Sequence, residues 1–212
     1  MAVSVLHATY YHILKPQNIM SSASNTDDGS KSSSSNAGIW IFVDDSNIWI
    51  AAKKLASRVK HLKTNEDHRV RIDIGMLTTV VADGRPVAQG FLYGSEPPPV
   101  DTVWEKIRSQ HFEVSTYPRH SITRKEKQVD AQLVADITER AIITPIGERT
   151  TIVVISGDAD VLPAVRKVLK YEGWNVEVYM WQHAMSAELK KFTICNVVVL
   201  SGSYFLGSGV YA

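Results

Sequence analysis

Two short apolar runs limit what this chain can fold into more than any other feature. IWIFV (39–43) and the centre of TTIVVIS (150–156) carry large apolar side chains at successive positions, with no polar residue in alternation. A strand with one wet face alternates apolar and polar residues, whereas a strand covered on both faces does not. The sheet that holds these runs must therefore be sandwiched. The covering layers are visible between the runs. Residues 46–62 place Ile50, Leu55, Val59 and Leu62 at helical spacing, and Val129 to Ile142 repeats apolar residues at 129, 133, 137 and 141. Further helices are expected at 69–82, 101–110, 161–172 and 184–192. Strands are expected at 87–94, 112–118, 174–181 and 195–200. Gly173 sits where a glycine would cap the helix before it. Strand and helix alternating throughout imply an α/β sandwich with a mainly parallel central sheet.

At 212 residues the chain suits one domain with tails. Residues 21–38 read SSASNTDDGSKSSSSNAG, with no large apolar side chain to offset the entropy of ordering. The expectation is a Ser-rich tail over 1–37, a domain over 38–206 and a short tail over 207–212. The first twenty residues hold one Lys and neither Arg nor acid, unlike a secretory signal, and Met20 is an alternative start. One cysteine, Cys195, excludes a disulfide framework and a Cys-cluster zinc site. No apolar run approaches the roughly 20 residues of a membrane span, so no membrane association is expected. An intracellular protein is implied, cytoplasmic or nuclear, with mitochondria left open. Lys plus Arg is 23 against 22 for Asp plus Glu, so any nucleic-acid partner must be argued from local charge.

The informative residues come where strands end. In parallel α/β sheets, ligands sit beyond the carboxyl ends of the strands. Here the first strand runs into Asp44-Asp45-Ser46-Asn47, and the 150–156 strand into Ser156-Gly157-Asp158-Ala159-Asp160. The helix after the basic loop opens Lys127-Gln128-Val129-Asp130, with Asp136 further along. Acids at helix starts are stabilised by the helix dipole, which explains any one of them alone. Several carboxylates gathered at one edge repel unless a cation holds them. Hard oxygen ligands with open water positions suit Mg²⁺ or Mn²⁺ and a phosphate substrate.

Three segments then resemble a known family in order and spacing. IFVDDSN resembles the D-x-x-N opening strand of the NYN domain, a branch of the PIN-like ribonuclease fold. KQVDAQLVAD resembles its K-x-V-D-x-x-L-x-x-D helix, and VVISGDADVLPAV its S-G-D-x-D-x-x-P segment. The resemblance covers about residues 39–200 and implies a three-layer Rossmann-like, PIN-like sandwich acting as a metal-dependent ribonuclease. By position it implies Asp44, Asp130 and Asp158 as the main metal-binding acids, with Asp160 and Asp136 in support. Six residues turn a helix through about 600°, so Asp136 points about 120° away from Asp130 and reaches the site only if that flank overlies the sheet edge. Asn47 would orient Asp44 or the attacking water, or else stabilise its own turn. Ser156 would hold a phosphate, or else cap a helix. The family often has Gly where Asp45 stands and Phe where Val161 stands.

The implied reaction is hydrolysis of RNA by a metal-activated water, leaving 5′-phosphate and 3′-hydroxyl ends. The basic loop Arg119, His120, Arg124, Lys125 and Lys127 is placed to hold flanking phosphates, with His120 read as a solvated loop residue. A second run, Lys53, Lys54, Arg58, Lys60, His61 and Lys63, is either an RNA contact or a solvated helix face. Single-stranded RNA is the expected partner. Trp49 reads first as core and second as a platform for a base. Self-association into a homo-oligomer is open. The main rival is a catalytically silent NYN-fold RNA-binding or scaffolding protein. A phospho-acceptor receiver domain fits poorly, because no strand-ending Lys follows the S-G-D segment.

Overall fold

The computed structural model describes residues 38–95, 103–118, 127–191, 196–199 and 206–207. Its strands are β1 (Ile39–Asp44), β2 (Arg71–Ile72), β3 (Val87–Ser95), β4 (Phe112–Tyr117), β5 (Thr151–Ile155), β6 (Asn175–Met180), β7 (Asn196–Val199) and β8 (Leu206–Gly207). Its helices are α1 (Asp45–Val59), α2 (Ile74–Ala82), α3 (Val103–Arg108), α4 (Lys127–Ile143), α5 (Leu162–Val168) and α6 (Ala187–Lys191). Six strands form one sheet in the order β4-β3-β1-β5-β6-β7, and every pairing in it is parallel. Counting only those strands, the order is the 3-2-1-4-5-6 of the doubly wound nucleotide-binding folds.

The two apolar runs are the centre of this sheet. β1 pairs with β3 on one side and β5 on the other. All five residues of β5 are buried, as are Ile41, Phe42 and Val43 of β1. Successive strand residues face opposite sides. Phe42 stacks on Phe91 at 4.9 Å, and Arg140 of α4 lies 4.1 Å over the Trp40 ring, so α4 covers the face that β1 presents through Trp40 and Phe42. The other face takes Ile41 and Val43 and is the one left for α1, whose Ile48, Ala51, Ala52 and Ala56 are buried.

Four local expectations are revised. The 69–82 segment is not all helix: Asp73 accepts the amide of Met76 and starts α2 only at Ile74, while Arg71–Ile72 pairs antiparallel with Leu206–Gly207. The helix expected over 161–172 is α5, preceded by a 3₁₀ turn over Ala159–Val161 and ended at Val168. Gly173 therefore does not cap it; with φ of 89° it makes the later turn into β6. The helix expected over 184–192 is shortened to α6.

The strand order reverses at β1. Chain leaving β1 and chain leaving β5 diverge there, opening a crevice above the carboxyl ends of the two strands. Asp44 ends β1, and Ser156–Asp158 directly follow β5. Residues 1–37 and 208–212 lie outside the described residues, as do Arg119, His120, Arg124 and Lys125 of the basic loop.

Candidate active site

Asp44 is the anchor of the crevice. It closes β1, caps α1 and is only 3% exposed. Its Oδ1 accepts the backbone N–H of Asn47 at 3.0 Å, and its Oδ2 accepts the Ser156 hydroxyl at 3.1 Å. Burial raises its pKa to about 7, and the negative charges of Asp130 and Asp158 push the same way against the two hydrogen bonds. Asp130 of α4 and Asp158 of the β5 loop thus both act on Asp44 at the end of β1.

The loop after β5 is tied to β1 at several points. The Ser156 hydroxyl donates to Asp44 and accepts the backbone N–H of Asp158 at 3.2 Å. The side-chain oxygen of Asn47 accepts the N–H of Gly157 at 2.9 Å, and the Gly157 carbonyl accepts the N–H of Ser186 at 2.8 Å. A β-carbon at Gly157 would sit 2.2 Å from the carbonyl oxygen of Ala184, so only glycine allows this approach. Asp158 accepts the N–H of Asp160 at 3.1 Å, which turns the chain so that Asp160 stands exposed on the outer rim. Asp130, in the first turn of α4, is half-buried.

Ser156 and Asn47 both serve the scaffold of the crevice. Ser156 is fully buried, and its hydroxyl donates to Asp44 and accepts the Asp158 N–H, so it positions the carboxylates. Asn47 likewise joins two loops through its side-chain oxygen. Asp136 is held by a different set of partners. The Tyr93 hydroxyl donates to its Oδ2 at 2.7 Å and the Gln132 amide to its Oδ1 at 2.6 Å. The flank of α4 that bears it overlies β3 and β4, where it lines a cleft of about 170 Å³ with Phe42, Phe91, Glu113, Glu139 and Arg140. Burial first, and then Asp136, raises the Tyr93 pKa. Tyr93 is in register with Asp44 on the neighbouring strand, a link that no sequence spacing announces.

Asp45 turns toward β3; a β-carbon on Gly94 would lie 3.4 Å from its carboxylate. Trp49 is committed to the scaffold. Its Nε1 donates to the Val70 carbonyl at 3.3 Å, and the Lys53 ammonium lies 4.1 Å from its ring. Lys53 is buried and paired with Glu66 at 2.8 Å, and Lys60 is paired with Asp67 at 2.9 Å. Lys127 opens α4. Among the described residues, no three His, Cys, Asp or Glu side chains are grouped closely enough to form a complete metal-ligand set. Among them also, no helix is long and apolar enough to cross a membrane.

Fold and crevice together define a doubly wound parallel α/β protein with an acidic site at its switch point. A model of the NYN domain matches residues 38–195, three-quarters of the chain. The chain belongs to the NYN domain family, one of the PIN-like nuclease families. No curated protein matches it. Among solved structures, it is similar to the crystal structure of a protein of unknown function from Vibrio parahaemolyticus. The two share 18% identity at a TM-score of 0.59, covering 82% of this chain and 98% of that one. At that identity the likeness concerns the fold alone.

Proposed function

We propose that the protein is a metal-dependent ribonuclease that hydrolyses RNA phosphodiester bonds at the β1–β5 crevice. One observation carries the reading. Asp44 is buried yet held by two hydrogen-bond donors, in the combined field of Asp130 and Asp158. A protein that only needed a stable core would gain by replacing such a carboxylate with an apolar side chain.

The donor set suits a hard cation. Mg²⁺ keeps several waters and takes one or two carboxylates plus substrate phosphate, so it does not need a closed protein cage. Asp44, Asp130 and Asp158 would hold Mg²⁺ or Mn²⁺, with Asp160 at the rim. The chemistry such a cation supplies is polarisation of a phosphoryl oxygen and acidification of water. The chain's own part is orientation. The Asn47 N–H and the Ser156 hydroxyl fix both oxygens of Asp44, and the Gly157 bond to Asn47 fixes the distance between the β1 and β5 loops. With its pKa at about 7, Asp44 is about half protonated at neutral pH, and positive charge placed beside it would favour the ionised form. Hydrolysis by water would leave 5′-phosphate and 3′-hydroxyl ends.

The lack of a closed ligand set among the described residues favours a second reading, a catalytically silent RNA-binding or scaffolding protein on the same fold. One experiment separates them. End-labelled single-stranded RNA is incubated with Mg²⁺, Mn²⁺ or EDTA and either wild type or Asp158→Asn, purified identically. Metal-dependent cleavage that the variant loses by at least 100-fold is expected, about 3 kcal/mol of transition-state stabilisation. Equal cleavage by both proteins would sink the site assignment, and binding without cleavage would select the scaffold.

A further inference from the structure

The solvent side of α1 carries cations that the acidic crevice does not use. Lys54 and Arg58 are four residues apart and so share one helix face; both are exposed. His61 follows in the turn after α1, with φ of 51°. Together with Ser57, Thr64 and Asn65 they line a groove of about 650 Å³ that no carboxylate lines. The nearest acids are engaged beside it: Glu66 holds Lys53, and Asp67 is bound by Lys60 and Arg69.

A further cation, Lys190 of α6, comes from far along the chain. His183, in the loop after β6, stands with Nε2 at 3.1 Å from the Ala51 carbonyl of α1. Partial burial lowers its pKa, and the charges of Arg58, Lys54 and Lys190 lower it further. The fields of α1, the β6 loop and α6 therefore overlap. The carboxyl end of a helix attracts cations by itself, which accounts for Arg58 and Lys60. It does not account for Lys54 in mid-helix, or for Lys190 brought in from another part of the fold. Among the described residues, Lys54, Arg58 and Lys190 have no ion pair within 4 Å.

We infer that Lys54, Arg58, His61 and Lys190 form a track for the phosphodiester backbone of a single-stranded nucleic acid, gripping the part of the strand that runs away from Asp44. The inference rests on the ribonuclease reading, because α1 starts at that site. A rise of 1.5 Å per residue puts Lys54 about 15 Å and Arg58 about 20 Å along the helix from Asp44. Backbone contacts of this kind position a strand without reading its sequence.

The test is binding in EDTA, with the full chain and fluorescein-labelled oligouridylates, short and long, over a range of NaCl concentrations. Each lost contact to a single strand lowers the salt slope by about 0.7, so Lys54→Ala/Arg58→Ala/Lys190→Ala should lower it by about 2. Affinity for long strands should fall about tenfold or more, while short strands too small to leave the crevice lose little. Lys106→Ala/Arg108→Ala/Lys170→Ala removes the same formal charge elsewhere and should change the slope less. All six side chains are exposed, so unchanged melting temperatures are expected and are checked first. A slope and affinity in the first triple variant equal to those of wild type or of the second triple would overturn the inference. So would wild type that binds no oligonucleotide at low salt. Cleavage with an unchanged slope sinks the track and leaves the ribonuclease standing; binding through the track without cleavage does the reverse.

Discussion

Asp44 shows how much a single side chain gives up in the cation-free fold. Its folded pKa, about 7, lies above the ordinary value near 4 that it has in the unfolded chain. Between those values the native state keeps a proton that the unfolded state has released, so stability falls as pH rises from about 4 to about 7. Asparagine never ionises. In EDTA, Asp44→Asn should therefore be more stable than wild type above pH 7, on the order of 2–4 kcal/mol, with the gap closing toward pH 4. Melting temperatures across that range check it, and a gap independent of pH would refute it. The positions of Asp44, Asp130 and Asp158 were legible in the sequence because strand ends and helix starts in a parallel sheet share one edge. The burial of Ser156 was not legible, since a serine after a strand reads equally as a cap or a ligand contact. The Tyr93 bond to Asp136 spans 43 residues and depends on how α4 is rotated, which periodicity alone does not determine.

At the scale of elements, the crevice depends on the loop after β5 more than on either strand. Ser156, Gly157 and Asp158 connect to β1, to α1 and to the segment before α6 through backbone and side-chain bonds. Gly157→Ala would drive a β-carbon against the Ala184 carbonyl, a backbone group that cannot swing aside. The loop would have to move away from Asn47 or from Ser186. The expected result is a loss of about 1–3 kcal/mol in urea unfolding together with a fall in RNA cleavage at least tenfold larger than that of the surface variant Lys170→Ala. Unaltered cleavage in a destabilised variant would show that the loop's position does not matter to the reaction. Helix lengths were the least legible feature. α5 and α6 are shorter than their apolar periodicity suggests, because α5 gives way to turns after Val168 and the Ser186 cap begins α6 late.

For the whole molecule, the central position of β1 and β5 makes the fold cooperative. β5 is buried along its full length and has a partner strand on each side. Ile155→Ala should cost about 2–5 kcal/mol and shift one unfolding transition without splitting it, as urea titrations followed by fluorescence and circular dichroism would show. The architecture was readable because unbroken apolar runs admit few neighbours other than helices on both sides. The pairing of β2 with β8 was not, since two-residue strands leave no pattern. The ties around Gly157 also place the crevice in time. Asp44 is made more than a hundred residues before Asp158, and Ser186, which secures the Gly157 carbonyl, comes later still. On the ribonuclease reading, a site built this way cannot assemble on the growing chain until Ser186 has emerged.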